Sequence, residues 1–280
     1  YYLKTIMSKV KFHHSKWSLE EVFACNDLIK VLYGKTTLNK KVFPDKDSDI
    51  KKIETHIRLA GKGVACKPTK FPIKTVREVL ELYNINDNYY DFSCGWGDRL
   101  LGAMSMNINY FGTDPNYLLT EQLENIKNDY RSVNINPFNE FSKVDIRTQG
   151  SEIFIPEWEN TIGVAFSSPP YFNLENYGVG EQSCNETTNY KDWIDYYYRP
   201  TIENIDKYLI ENGKIIININ NFAKYNLVQD TINLLEEFGY KLIKKHGLKN
   251  IVRVYGSVNG KGGQNDNAED IMVFSRSLND

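Results

Sequence analysis

Residues 89–99 read Tyr89-Tyr90-Asp91-Phe92-Ser93-Cys94-Gly95-Trp96-Gly97-Asp98-Arg99. Two bulky aromatics and an acid make a short strand, and Gly95 and Gly97 then let the backbone turn tightly. The residues that follow begin a helix, whose first N–H groups are free to face the carboxyl end of that strand. Asp114 ends the next apolar run, 17 residues after Gly97. An acid at that place accepts hydrogen bonds from ribose hydroxyls. No third glycine stands in dinucleotide spacing. Without a ligand, the same residues would serve as a tight βα turn and a helix-capping Asp.

Outward from this stretch, apolar runs and helical periods alternate. Strands are predicted near 89–92, 109–113, 162–167, 214–219, 240–245 and 270–275, with a weaker one near 142–145. Helices are predicted near 98–106, 116–130, 190–210 and 226–238, and one more after Pro72, where Ile73, Val76, Leu80 and Tyr83 share a face. Such alternation predicts an α/β fold with a mostly parallel sheet covered on both faces. The last two strands flank Asn259-Gly260-Lys261-Gly262-Gly263 and read as an antiparallel hairpin. Those glycines open no helix, so a turn explains them better than a phosphate cradle. Residues 1–68 form a basic, mainly helical or irregular N-terminal segment, with a capping box at Ser18-Leu19-Glu20-Glu21, and 69–280 form the α/β domain.

Net charge is −2 over 280 residues, but the charge is unevenly placed. Residues 1–80 hold 17 Lys/Arg against 8 Asp/Glu, and the rest hold 17 against 28. A basic front on an acidic remainder fits phosphate contact by one part only, or else a solvated lysine surface. His13 and His14 lie in that front. No apolar run approaches the roughly 20 residues that span a bilayer, and no signal pattern opens the chain, so a soluble, cytoplasmic or otherwise intracellular protein is expected. Cys25, Cys66, Cys94 and Cys184 form no C-x-x-C pair. Reduced thiols and no metal site are expected.

The strand at 162–166 runs into Ser167-Ser168-Pro169-Pro170-Tyr171-Phe172. Two prolines stiffen the loop and lack N–H groups, while their carbonyls remain acceptors. An exocyclic amine has its lone pair delocalised into the ring and is a poor nucleophile. Acceptors that hold its N–H bonds favour a more tetrahedral nitrogen, and proximity to an electrophile can supply much of the remaining acceleration. Tyr171 and Phe172 offer faces for a base or a cation. A proline-rich loop with a buried aromatic pair is the structural alternative.

Asp91 to Gly97 resembles motif I, usually Asp-Pro-Phe-x-Gly-x-Gly, of S-adenosylmethionine-dependent amino-methyltransferases. The resemblance implies a Rossmann-like class I methyltransferase fold with S-adenosyl-L-methionine as cofactor. It assigns Asp91, Gly95 and Gly97 to the methionine and ribose portions and Asp114 to the ribose, with Ser93, Cys94 and Ser167 as flanking cofactor contacts. Phe92-Ser93 and Asp98-Arg99 depart from the usual Pro-Phe and Thr-Thr. Asp98-Arg99 reads as a first-turn acid on the helix dipole with a neighbouring base, or as a pair shaping the substrate side.

Ser168 to Tyr171, followed by Leu174, Tyr177, Gln182 and Glu186, resembles motif IV of N4-cytosine DNA methyltransferases. N6-adenine enzymes more often carry Asp or Asn first, so Ser168 favours cytosine N4. By this resemblance Ser168 and the Pro169 carbonyl bind the target amine, Pro170 shapes the loop, Tyr171 stacks on the base, and Phe172 and Tyr177 contact substrate. Phe71-Pro72 resembles motif X, with Phe71 at the methionine end and Lys74 only remotely placed. Asp145, read as ending the third strand, would reach the adenine amino group; a loop Asp with no such role is the equal alternative. The resemblance covers about residues 68–280, in the order X, I, IV. No separate target-recognition domain fits after motif IV. DNA reading is therefore expected from residues 1–68, from the 172–190 loop, or from a partner subunit. The rival expectations are a methyltransferase of RNA or a small amine, and a non-catalytic cofactor- or nucleic-acid-binding subunit.

Overall fold

The computed structural model describes residues 9, 11–12, 71–85, 88–133, 141–177, 180–183, 185, 187, 189–221, 223–247 and 270–276. The chain divides into two compact units, residues 1–69 with 173–180, and residues 70–172 with 181–280. In the first unit, a two-residue antiparallel ladder sets Lys11 opposite Asn176 and Phe12 opposite Glu175. The capping box at Ser18, the histidines at 13 and 14, Glu186 and the Asn259–Gly263 loop lie outside the described residues.

The second unit is built on seven strands: β1 (Tyr89–Asp91), β2 (Tyr110–Thr113), β3 (Val144–Arg147), β4 (Ile162–Ser167), β5 (Leu209–Ile219), β6 (Lys241–Gly247) and β7 (Asp270–Ser275). Their order across the sheet is β3-β2-β1-β4-β5-β7-β6. Pairing is parallel from β3 through β5, and β7 runs antiparallel to both β5 and β6. The order reverses at β1, whose neighbours are β2 and β4. In open α/β sheets that reversal leaves a crevice beyond the strands' carboxyl ends.

Helices α1 (Ile73–Leu82), α2 (Asp98–Ser105), α3 (Tyr117–Val133), α4 (Tyr190–Trp193), α5 (Arg199–Tyr208) and α6 (Leu227–Glu237) complete the unit. Alternate strand residues feed two cores. Tyr89, Val164, Phe166, Ile216 and Val273 pack with Val76, Val79, Leu100 and Leu123 of α1, α2 and α3. Tyr90, Ala165, Ile215, Ile217 and Phe274 pack on the other face with Ile202, Ile205, Leu234 and Leu235 of α5 and α6. This period-2 division is what a sheet buried on both sides requires.

Between α4 and α5 the helix makes one π turn, Ile194–Tyr198. In an α-helix, residues five apart point about 140° away from each other. The wider turn instead stacks Trp193 on Tyr198, with ring centroids 5.3 Å apart. Both rings are fully buried.

Two sequence expectations shift. The fifth strand starts at Leu209 rather than 214, because its pairing with β4 jumps from Ile162–Leu209 to Val164–Lys214 across a bulge. The third strand ends at Arg147 rather than 145. Among the described residues, no helix is long and apolar enough to cross a membrane.

Candidate active site

β1 and β4 are parallel neighbours, with Tyr89 opposite Val164 and Tyr90 opposite Ala165. Register alone therefore sends the glycine turn and the double-proline loop out of the same sheet edge. A hydrogen bond ties their bases together: Ser167 Oγ donates to Asp91 Oδ1 at 2.7 Å.

Asp91 is fully buried. Its Oδ1 also accepts from the Ser93 N–H at 3.4 Å. Its Oδ2 accepts from Tyr110 OH and from Arg99 Nε, each at 2.9 Å. A carboxylate offers about four lone-pair sites, so these four donors saturate it. Its carboxylate is a strut that holds Ser93, Ser167 and α2 in place.

Arg99 is the residue that the sequence reading undervalued. It sits in the first turn of α2 with its side chain 8% exposed, paired with Asp91 rather than serving only as the basic neighbour of Asp98. Besides pairing with Asp91, it donates through Nη2 to the Ser93 carbonyl. Its guanidinium lies 5.9 Å from the Phe71 ring centroid. Burial alone would make Arg99 easier to deprotonate, but the charge and hydrogen bond of Asp91 hold it firmly protonated. Phe71 in turn meets Phe166 edge-on at 5.8 Å. The residue before α1, the glycine turn and the end of β4 thus form one connected group.

Gly95 and Gly97 have φ of +55° and +80°, in the region where L side chains are strained. A Cβ at Gly97 would lie 2.7 Å from Leu123 Cδ2 on α3, so the turn also has no room for one. The Gly95 N–H donates to Asp114 Oδ2 at 3.1 Å, and the Asn116 N–H donates to Oδ1 at 3.0 Å. Burial pushes the Asp114 carboxyl up to about 6, although those two N–H groups pull it down. With one backbone N–H donating to each oxygen, Asp114 keeps acceptor capacity for two hydroxyls.

In the double-proline loop, Ser168 Oγ accepts from Asn218 Nδ2 at 3.4 Å. Pro169 is buried, while Pro170 and Tyr171 are half-buried. Phe172, a candidate substrate contact, follows Tyr171. It is buried, and its ring is held among Tyr190, Trp193 and Tyr225 at 5.5–6.1 Å. Its φ of +53° is uncommon for a bulky residue. We read Phe172 as the anchor that bends the chain out of the loop.

Cys94 is a buried free thiol. A Cβ placed on Gly112 of β2 would meet its Sγ at 2.4 Å, so only the Cys94 backbone remains for the turn. Asp145 lies inside β3 opposite Phe111 rather than at the strand's end. Burial would raise its carboxyl, but hydrogen bonds and charge from Arg147, aided by Trp158 and Lys143, hold it below the usual range. Tyr177 belongs to the 173–180 segment of the first unit. Lys74, a remote candidate, makes a surface pair with Glu78. Among the described residues, no group of three His, Cys, Asp or Glu could hold a metal ion.

No protein-family model matches this chain, and no curated protein sequence matches it. Solved structures do resemble it. Magnesium protoporphyrin IX methyltransferase from Synechocystis PCC 6803, with bound S-adenosylmethionine, is 10% identical with a TM-score of 0.47 and covers 92% of this chain and 94% of its own. An S-adenosylmethionine-dependent O-methyltransferase from Thermotoga maritima is 11% identical with a TM-score of 0.47, covering 75% and 67%. An rRNA-methylase-like protein from Clostridium thermocellum is 10% identical with a TM-score of 0.46, covering 74% and 97%. By its own strand order and directions, with one antiparallel strand inserted next to the far edge, the second unit has the Rossmann-like class I methyltransferase fold.

Proposed function

We propose that this protein is an S-adenosylmethionine-dependent methyltransferase acting on an exocyclic base amine, with cytosine N4 in DNA as the favoured target. The observation that carries the reading is the 2.7 Å bond from Ser167 to Asp91. It joins a turn suited to a nucleoside cofactor to a loop suited to an aromatic amine, over adjacent parallel strands.

The residues present fit the cofactor. The glycine turn presents bare backbone, and Asp114 keeps lone pairs for ribose hydroxyls. Phe71, beside Arg99, is placed for the methionine end. When bound, S-adenosylmethionine would supply a sulfonium methyl to an attacking lone pair, its S–C bond breaking as the N–C bond forms, the neutral thioether leaving and one amine proton passing to solvent. The Pro169 carbonyl and Ser168 Oγ would hold the amine N–H groups and aim that lone pair. Tyr171 would stack on the ring and fix its approach. A base in duplex DNA would have to be flipped out first. The basic N-terminal segment is our proposed phosphate contact.

Incubation with methyl-labelled S-adenosylmethionine and DNA, RNA or free nucleosides, followed by digestion, tests this directly. We expect label in N4-methylcytosine from DNA. Label confined to RNA or free nucleosides would move the substrate, and label in none of the three would end the reading.

Cofactor binding should depend on pH through Asp114. The ionised carboxylate accepts from both hydroxyls, while the protonated form must donate from one oxygen. With its carboxyl at about 6, the ionised fraction falls about tenfold by pH 5. Equilibrium binding of the cofactor should therefore be about tenfold weaker at pH 5 than at pH 7. Asp114→Asn should bind more weakly throughout and show no such slope. A flat wild-type profile would remove Asp114 from the ribose site.

A further inference from the structure

Asn218 interrupts the run Ile215-Ile216-Ile217-Asn218-Ile219. It lies near the carboxyl end of β5 and is 1% exposed. An amide buried in an apolar strand costs stability unless it is hydrogen-bonded, so its position calls for a reason. Register supplies one. Ser167 lies opposite Ile217, and Ser168 leaves β4 alongside Asn218. The Asn218 Nδ2 donates to Ser168 Oγ at 3.4 Å, a long contact of the kind that tightens when substrate binds.

A hydroxyl has one proton and two lone pairs. The Asn218 amide N–H takes one lone pair and cannot accept the proton. We propose that Asn218 is a positioning residue that turns the Ser168 proton toward the substrate, to be donated to an unprotonated ring nitrogen beside the amine-bearing carbon. The proposal rests on the functional reading above and narrows it. The substrate class becomes amino-heteroarenes with an acceptor nitrogen next to the amine, which cytosine and adenine satisfy. Aliphatic amines and anilines have no such acceptor and would leave the Ser168 proton unpaired.

This contact serves recognition. A hydrogen bond to the ring nitrogen draws lone-pair density away from the amine, so it should appear in KM and not raise kcat. The Pro169 carbonyl works in the opposite sense, through the amine N–H.

The test uses the full chain and two single-stranded oligodeoxynucleotides, one with cytosine and one with 3-deazacytosine at the target. The latter keeps the amine but replaces the ring acceptor with C–H. For wild type, we expect a KM about 10- to 100-fold higher on the deaza oligonucleotide, with kcat little changed. Asn218→Asp turns the amide into an acceptor that captures the Ser168 proton. It should raise KM on cytosine by a similar factor and add nothing further on 3-deazacytosine. Equal wild-type KM on both oligonucleotides would overturn the proposal, and this arm needs no variant to fold. So would an Asn218→Asp loss of the same factor on both substrates. If wild type labels neither oligonucleotide, the functional reading has failed and the inference falls with it. Labelling of both at equal KM keeps that reading and removes only Asn218's role.

Discussion

Arg99→Met is expected to lower the midpoint of thermal unfolding by on the order of 10 °C. The substitution keeps much of the apolar stem and removes the guanidinium. Asp91, with no exposure, would then carry an unpaired charge in the core. Removing one member of a buried pair costs about 3–5 kcal/mol, and each kcal/mol moves the midpoint of a domain this size by roughly 2–4 °C. The Ser93 carbonyl loses its donor as well, so the glycine turn should loosen with the core. Asp91→Asn combined with Arg99→Met should recover more than half of the loss, because no charge is left to strand. Arg99→Lys should fall between, since an ammonium keeps the charge without the fork that also reaches Ser93. Thermal melts of the four proteins check this. A drop in Arg99→Met of less than about 2 °C would equal an ordinary surface change, and Asp91 would not depend on Arg99.

Tyr171→Ala is expected to reduce methyl transfer by about 100- to 1000-fold while cofactor affinity stays within about twofold of wild type. Base–aromatic stacking contributes about 1–3 kcal/mol per base. Losing the face that orients the ring adds a geometric penalty, because small misplacements of a reacting atom cost about another factor of 100. The proposed cofactor contacts lie on the turn after β1 and at the end of β2, one and two strands over from the loop that carries Tyr171. Single-turnover transfer and equilibrium cofactor binding separate the two effects. Tyr171→Phe should keep most of the activity if stacking is the role. Activity surviving in Tyr171→Ala would show that the double-proline loop does not carry the base.

Much of this arrangement was legible in the chain. The glycine turn, the strand before it and the apolar run before Ser167 each carry strong local signals, and parallel pairing follows from their alternation with helices. The shared sheet edge follows from that topology. What Asp91 binds within the fold was not legible. Its decisive partners, Arg99, Tyr110 and Ser167, come from a helix and two other strands, and no periodicity marks a buried ion pair. Asp145 was misplaced for a different reason. β3 is an edge strand with all four residues half-buried, so no apolar pattern marks its end, and two residues decide whether an acid reaches the crevice. The start of β5 was hidden because Glu211-Asn212-Gly213 reads as a turn. Asn212, with φ +66°, does turn there, inside a strand that resumes pairing afterwards.

The wide turn at Ile194–Tyr198 constrains how this chain can vary in length. One added residue advances an α-helix by about 100°, and the π turn absorbs such a step locally. Trp193 before it and Ile202, Ile205 and Tyr208 after it all point inward in the present phasing. Excising a single codon from the turn would regularise the helix and rotate one half against the other. Either Trp193 or the Ile202–Tyr208 stripe would then swing toward water. A chain one residue shorter there would keep a closed core only if one of the two flanking faces were rewritten to match the new phase.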